Sequence, residues 1–514
     1  MRPAKPTMTE TAAGNWRLDN AILAYANSQP DRIALSFGAA GISYAALAIQ
    51  VDDAARRLAN HLTCGDRFAV YSMNHPNSFV LLLAAARIGA VMVPLNWRLS
   101  AAELRYQLDD CAPKLIIYGA EFADNLAVIA GDDAPYGTVP IDELAAIGTP
   151  ALIDDSNRTV TIDDALLIVY TSGTTGRPKG AVLSQRAMRS NAVMSQHAFG
   201  LSAADIVLNI LPLFHVGGLN IQPVPALLAG AQIIIEKTFD PHAVLNSIAT
   251  RGVTHVTTVP TMLGALLGCD EWAETDLSSL RMMAIGSTDV PVTMINAVQD
   301  RGIALVQIYG ATETAPIAIY QTADMAFDSV GSIGRAGSDC AIRLVDANGA
   351  DVETGIVGEI WVKGDNILSH YWNNLGESAT HITDGWFHTG DMARCDDEGL
   401  YWFADRLKHV IISGGENIYP AELERVLTGH PDLAEFSIVG RDDSRWGQVP
   451  IVVAVRRTLD DTTIDAARIM TAFDGEVAKF KRPKDVVFVE ALPRNALGKI
   501  VTDKVTLLAA EASN

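Results

Sequence analysis

The chain has 514 residues, 49% of them hydrophobic and 19% charged, which excludes a single small module or a disordered chain and implies two to four lobes at about 150 residues each. Thirty-nine basic against sixty acidic residues give a net charge of −21, so the surface repels polyanions and nucleic acid is not an expected partner. Five dispersed cysteines, Cys64, Cys111, Cys269, Cys340 and Cys395, form neither a disulfide framework nor a close metal-binding pair, and reduced thiols in a cytoplasm are expected. The N-terminus lacks the apolar core of a secretory signal. The longest apolar stretch, Phe79 to Leu95, is broken by Arg87 and Gly89 and is too short for a transmembrane helix; it reads as a buried helix, a turn and a strand over Ala90 to Val93.

Leu47, Val51, Ala55, Leu58 and Leu62 share one helical face, with Ser43 placed to cap the N-terminus. Short strand-like runs follow at Leu115–Tyr118, Leu166–Tyr170, Ile233–Ile235 and Ile303–Tyr309, separated by helix-length segments. That alternation predicts an α/β fold of layered, largely parallel sheets. From about residue 340 the texture changes. Runs such as Ile342–Val345 and Glu359–Val362 alternate with Asn348-Gly349, Asp384-Gly385 and Glu398-Gly399, the turn chemistry of antiparallel hairpins or a small β-barrel-like part. The last hundred residues read as a small α+β unit, with a helix opening at Pro420 and closing near Gly429, then strands at Phe436–Val439, Ile451–Val455 and Val486–Val489. A boundary is expected near Asp405 to His409.

The stretch Tyr170–Gly180, YTSGTTGRPKG, directly follows a strand. Glycines, hydroxyls and a lysine at this density can wrap backbone N–H groups and a cation around phosphate oxygens. Walker A spacing fails, because Pro178 stands where that pattern requires glycine and Gly180 follows Lys179. A plain surface loop remains the alternative for this segment taken alone.

Further pieces occur in order: LPLFHVGG at Leu211–Gly218, YGATET at Tyr309–Thr314, TGD at Thr389–Asp391, DRLKHVIISGGENIYPAELE at Asp405–Glu424 and PRNALGKI at Pro493–Ile500. Together with the glycine-rich stretch, and over nearly the whole length, the chain resembles the adenylate-forming superfamily of acyl-CoA synthetases, peptide-synthetase adenylation domains and luciferases. The resemblance implies a large N-terminal adenylation domain over residues 1–407 and a small mobile α+β domain over 408–514 turning about Lys408. It implies an acid–thiol ligase using ATP, Mg2+ and CoA to convert a small-molecule carboxylic acid to its acyl-adenylate and then its thioester.

Residue by residue, the resemblance assigns Thr171, Ser172, Gly173, Thr174, Thr175, Gly176 and Lys179 to the β- and γ-phosphates. Tyr309 would stack on the adenine, Gly310 and Thr312 would be cofactor-binding, and Glu313 would help hold Mg2+. Asp391 would accept the ribose hydroxyls with Arg406 as a second donor, which suits a carboxylate and a guanidinium fork. Lys499 would meet the carboxylate and α-phosphate as the adenylate forms. Ser413, Gly414 and Gly415 would line the thioester-forming configuration. His215 would border the acyl site and the thiol entry, or else be a hydrogen-bonded core histidine. Trp446 matches an aromatic of the second step or a buried packing residue; Lys479, Lys481, Arg482 and Lys484 read as a solvated face, with the CoA 3′-phosphate as the alternative.

The resemblance implies that the region near Gly286 lines the acyl pocket and counts Gly286 and Ser287 among the cofactor-binding residues. Many relatives read Gly-Gly-Ala-Pro there; this chain has Gly286-Ser287-Thr288-Asp289. The apolar segment Val216–Leu228 favours an uncharged acid. A medium- or long-chain fatty acid is expected, with a cinnamate- or benzoate-like acid next. A catalytically silent nucleotide-binding homologue is the alternative of another class. Free CoA is the expected acceptor, and a homodimer is left open.

Overall fold

The computed structural model describes residues 16–131, 135–153, 160–171, 178–287, 290–413, 416–443, 445–458, 466–474, 476–477, 479, 481–495 and 499–512. The chain divides into two compact units, one of Met1–Ile342 with Val362–Phe387 and one of Arg343–Trp361 with His388–Asn514.

The first unit is built on two sheets. In the nine-stranded sheet, Ala304–Tyr309, Met282–Ile285, His255–Thr258, Ile206–Asn209, Gln232–Ile235 and Ile33–Phe37 lie parallel in that order, with antiparallel strands at both edges. In the seven-stranded sheet, Ala165–Thr171, Val91–Pro94, Arg67–Tyr71, Leu115–Tyr118 and Gly137–Pro140 are parallel. Beside Ala165–Thr171 lies the antiparallel strand Lys179–Ser184. Several central strands are buried at every position, as continuous apolar runs in a sheet covered on both faces require.

The predicted helix over Phe79 runs Pro76–Ile88, and only Asn77 and Arg87 escape burial. A helix apolar all round has no solvent face to offer and must lie in the core. His75 caps it by accepting from the Asn77 N–H, and Gly89 ends it at φ 73°. Helix Tyr44–Leu58 begins where Ser43 predicts, its hydroxyl accepting from the Ala46 N–H at 3.2 Å. No helix among the described residues is long and apolar enough to cross a membrane.

A five-stranded sheet follows, ordered Cys340–Val345, Gly358–Gly364, Trp386–Cys395 and Ile382–Thr383, with Tyr401–Arg406 beside Trp386–Cys395. Its hairpins turn where the dipeptides predict: Asp384 and Gly385 both take positive φ, 51° and 78°, the backbone a two-residue hairpin loop demands.

The last sheet is ordered Glu416–Ile418, Ile411–Ser413, Gly447–Arg456 and Leu433–Asp443, with Asp485–Phe488 parallel to Gly447–Arg456. The helix Pro420–Leu427 packs Leu423 and Leu427 into its core.

The expected division at 407/408 does not coincide with the two units, because residues 388–407 group with the C-terminal part. Asp405 gives the physical reason. Its carboxylate is buried and accepts from the Ala421 N–H at 2.8 Å and the Arg406 N–H at 2.6 Å. Strand Tyr401–Arg406 is thereby stitched to the start of helix Pro420–Leu427.

Candidate functional site

In the first unit the candidate residues gather at the ends of paired strands. Thr171 closes strand Ala165–Thr171 and Lys179 opens strand Lys179–Ser184, and the two are register partners. Residues Ser172, Gly173, Thr174, Thr175 and Gly176, which lie outside the described residues, connect them in sequence.

Glu313 sits in the turn Thr312–Thr314 beyond strand Ala304–Tyr309. Its Oε1 accepts from the Tyr371 hydroxyl at 3.0 Å and the Thr171 hydroxyl at 3.4 Å. Its backbone carbonyl takes the Leu368 N–H at 2.7 Å. A half-buried carboxylate ringed by hydroxyls is a hard oxygen donor set, which suits Mg2+ carried in with phosphate oxygens. Burial, and then the Glu313 charge, push the Tyr371 hydroxyl well above the usual phenol range, so it remains a donor.

Lys179 is ion-paired with Glu377, which also faces His381 Nε2 at 2.9 Å. The hydrogen bond from Lys179 holds the Glu377 carboxyl below its ordinary range. The Lys179 ammonium also lies 5.8 Å from the centre of the Tyr371 ring. Tyr371 and Glu377 were not singled out from the sequence. They belong to the short strand His370–Tyr371, which pairs with Lys179–Ser184, and to the following helix Leu375–His381. A pairing so distant in sequence leaves no local signal.

Tyr309 ends its strand half-buried. At Gly310 a Cβ would fall 1.7 Å from the Pro316 carbonyl oxygen, so only glycine fits the turn. Thr314 locks that turn, its hydroxyl accepting from the Ala311 N–H at 2.9 Å. Gly286 follows the neighbouring strand Met282–Ile285, with a Cβ position 2.5 Å from the Ile308 carbonyl oxygen. Ser287 takes φ 83°, an uncommon left-handed backbone for a residue with a Cβ. The strands are adjacent and parallel, so residues 286–287 and 309–313 emerge side by side. His215 precedes the short helix Val216–Asn220, half-buried, its ring 4.7 Å from that of Phe214. Gly218 lies under the Pro212 carbonyl oxygen, 2.1 Å from its would-be Cβ.

In the second unit, Asp391 and Arg406 are cross-strand partners. Arg406 Nε stands 3.3 Å from Asp391 Oδ1, with Asp391 buried and the arginine largely exposed. Thr389 fixes the approach, its hydroxyl donating to the Ile360 carbonyl at 2.7 Å and accepting from the Asp391 N–H at 3.0 Å. Lys499 is drawn to the same place. Its backbone is pinned to Asn495 in both directions. Burial of its ammonium end, together with the Arg406 charge, depresses its pKa below the ordinary lysine value, while Asp391 opposes the shift; the residue as a whole is nevertheless exposed. Asp391, Arg406 and Lys499 thus form one electrostatic cluster.

The backbone of Lys408 lies in the single turn Leu407–His409, and Gly414 and Gly415 fall outside the described residues. Ser413 is buried. Trp446 is 42% exposed, so its packing alternative is corrected: it is a surface ring, with the Arg445 guanidinium 4.9 Å from its centre. The basic cluster is partly neutralised within the unit, Lys481 by Glu422 and Arg482 by Asp474, while Lys479 and Lys484 are exposed.

The AMP-binding enzyme family matches residues 23–372, and the AMP-binding enzyme C-terminal domain matches residues 422–499. The chain belongs to the AMP-binding enzymes. This AMP-binding enzyme is 44% identical over 500 residues to the indoleacetate–CoA ligase of Aromatoleum aromaticum, covering 95% of the chain and 97% of the relative. It is 37% identical over 504 residues to a feruloyl-CoA synthase of an Amycolatopsis species, covering 97% and 99%. Among solved structures, the o-succinylbenzoate CoA synthetase of Bacillus subtilis in complex with its acyl-adenylate intermediate superposes with TM-score 0.84 at 30% identity, covering 95% of the chain and 97% of that structure.

Proposed function

We propose that this AMP-binding enzyme is an acid–CoA ligase whose acid is aromatic, of the arylacetic or cinnamic type. The ligase class rests on family membership spanning both units and on the two residue clusters. The choice of acid rests on one observation, namely the 44% identity along nearly the whole length to an indoleacetate–CoA ligase. The feruloyl and o-succinylbenzoate relatives point the same way. The aromatic alternative is therefore preferred to a fatty acid. The buried apolar side chains of Val216, Leu219 and Leu227, in the segment expected to line the acyl pocket, are compatible with a flat apolar ring.

A carboxylate cannot expel oxide, so it must first be given a leaving group. Its oxygen attacks the α-phosphorus of ATP, pyrophosphate departs, and the CoA thiolate then displaces AMP from the mixed anhydride. Lys179 and the Ser172–Gly176 segment take the β- and γ-phosphates. Lys179 must leave Glu377 to do so, an exchange of one carboxylate for phosphate oxygens. Tyr309 faces the adenine, and Gly310 lets the backbone approach it.

Glu313, oriented by Tyr371 and Thr171, would hold Mg2+, which would screen the phosphate charge. Asp391 accepts the ribose hydroxyls with Arg406 beside it. Lys499 supplies fixed positive charge where the carboxylate and α-phosphate meet. Its neighbours Arg406 and Asp391 tune that ammonium. Lys408 is the hinge, and rotation about it, which requires the Asp405 carboxylate to release the Ala421 N–H, withdraws Lys499 and presents the Gly414–Gly415 segment for the thiol step.

The test is a competition. Purified protein, ATP, Mg2+ and CoA receive a mixed pool of indole-3-acetate, phenylacetate, ferulate, benzoate, octanoate and palmitate, and thioesters are counted by mass spectrometry. Aromatic thioesters with stoichiometric AMP are expected. Preference for octanoate or palmitate overturns the choice of acid, and absence of any thioester together with absence of pyrophosphate exchange overturns the ligase.

A further inference from the structure

We propose that His242, Cys269 and Glu271 form a zinc-binding site on the surface of the first unit, outside the elements that carry the adenylation chemistry. Nδ1 or Nε2 of the histidine, the cysteine sulfur and a glutamate oxygen lie within 4.8 Å of one another. His242 Nδ1 and Glu271 Oε1 are 3.0 Å apart. Bonds of roughly 2.0–2.3 Å to a tetrahedral zinc place ligand atoms roughly 3.3–3.8 Å from each other, so small side-chain adjustments close the site.

The ligands come from two chain segments held by one core. His242 lies in the first turn of helix Pro241–Arg251, and Cys269 and Glu271 lie at the start of the turn Asp270–Ala273. Behind them Val244, Leu245 and Ile248 of the helix pack in the same apolar cluster as Leu263, Leu266 and Trp272. The backbone is therefore fixed before any ion arrives, and only side chains need ordering.

The donor set decides the ion. A thiolate with an imidazole and a carboxylate favours zinc over the hard cation Mg2+. Asp240 and Asp270 add negative potential at the sulfur, which a dication neutralises. With His242 and Glu271 exposed and Cys269 partly buried, three protein ligands leave the fourth position to water. Glu271 and His242 exchange their mutual hydrogen bond for the metal, and the thiol releases its proton to solvent on binding. Such an ion ties helix Pro241–Arg251 to the Cys269–Ala273 turn.

The experiment uses the full chain, free of any histidine tag and treated with chelator, titrated with Zn2+ against a chromogenic competitor. One equivalent of tight binding is expected, with at least tenfold weaker binding in Cys269→Ser and in His242→Ala. Co2+ should give a thiolate-to-metal charge-transfer band that Cys269→Ser abolishes, and Zn2+ should slow alkylation of Cys269 in peptide mapping. Zn2+ should raise the melting temperature of the native protein and not of the variants, while ligase turnover with Mg2+ stays the same in all of them. Because His242 and Glu271 are exposed, His242→Ala and Glu271→Gln remain informative should Cys269→Ser fail to fold. Equal zinc affinity in native protein and variants, or no stoichiometric binding, overturns the site.

Discussion

The Tyr371 hydroxyl donates to Glu313 Oε1 at 3.0 Å across fifty-eight residues of sequence. It fixes the carboxylate that we assign to magnesium. A hydrogen bond to a charged acceptor contributes about 1.5–3 kcal/mol, so Tyr371→Phe should slow acyl-adenylate formation about ten- to hundredfold. The measurement is acid-dependent pyrophosphate exchange as a function of Mg2+ concentration, where the half-saturating concentration should rise. An unchanged Mg2+ dependence would remove Glu313 from the metal, whatever happened to the rate.

Glu377 competes with the nucleotide for Lys179. With Glu377→Gln the ammonium keeps a hydrogen-bond acceptor and loses a counter-charge, so the exchange to phosphate becomes easier. The KM for ATP should fall several-fold, and the variant should gain more than the native protein from low ionic strength, because its ammonium has no competing counter-charge. Removal of Lys179 by Lys179→Ala should act oppositely, raising the KM for ATP. A Glu377→Gln enzyme that binds ATP more weakly would mean the pair orders the loop rather than holding its lysine in reserve.

Gly310 tests whether the turn after Tyr309 is shaped for close approach. An alanine there would place its Cβ 1.7 Å from the Pro316 carbonyl oxygen, and backbone rather than a flexible side chain would have to move. Gly310→Ala should lose adenylate formation at least a hundredfold while the melting temperature falls by only a few degrees. Gly399→Ala, where the φ is positive, 77°, and a Cβ meets nothing within 4 Å, is the control for backbone strain without a clash. It should cost stability without a matching loss of rate.

The sequence disclosed local chemistry well and distant partnership poorly. Ser43 capping its helix, the apolar run ending at Gly89, and the positive-φ glycines of the late hairpins were legible because each depends on residues within a few positions. Among the motif residues, Thr171 is the register partner of Lys179 and donates to Glu313, and Asp391 pairs with Arg406 across two strands. Tyr371 and Glu377 were missed because they act through a two-residue strand added to a sheet edge, which has no periodicity to read. Asp405, at the linker motif where the sequence puts a boundary, accepts from the first turn of helix Pro420–Leu427, and contacts of that kind do not announce themselves in composition. Trp446 shows the converse error, since a large apolar ring was given a buried alternative although it stands at the surface.

Lys499 carries the sharpest prediction, because its two neighbours of opposite sign make its behaviour depend on pH. Lys499→Ala should lose acyl-adenylate formation by orders of magnitude and still convert supplied acyl-adenylate and CoA to thioester. Its pKa is depressed by burial and by Arg406, so the native enzyme should lose adenylate formation on an alkaline limb below the ordinary lysine value near 10.5.

Removing the Asp391 charge takes away a favourable neighbour of that ammonium, and Asp391→Asn should move the limb to still lower pH. Arg406→Gln removes a like charge and should move it upward. For stability the sign is fixed by the same shift: the unfolded chain holds the lysine proton to higher pH than the folded one. The penalty of the crowded ammonium is therefore fully present below the lowered pKa and is relieved as pH rises towards the unfolded value. Pyrophosphate exchange across pH in the native, Asp391→Asn and Arg406→Gln proteins, read against thioester formation from supplied adenylate, separates the lysine from the rest of the machinery. Limbs that coincide in all three would detach Lys499 from the first half-reaction.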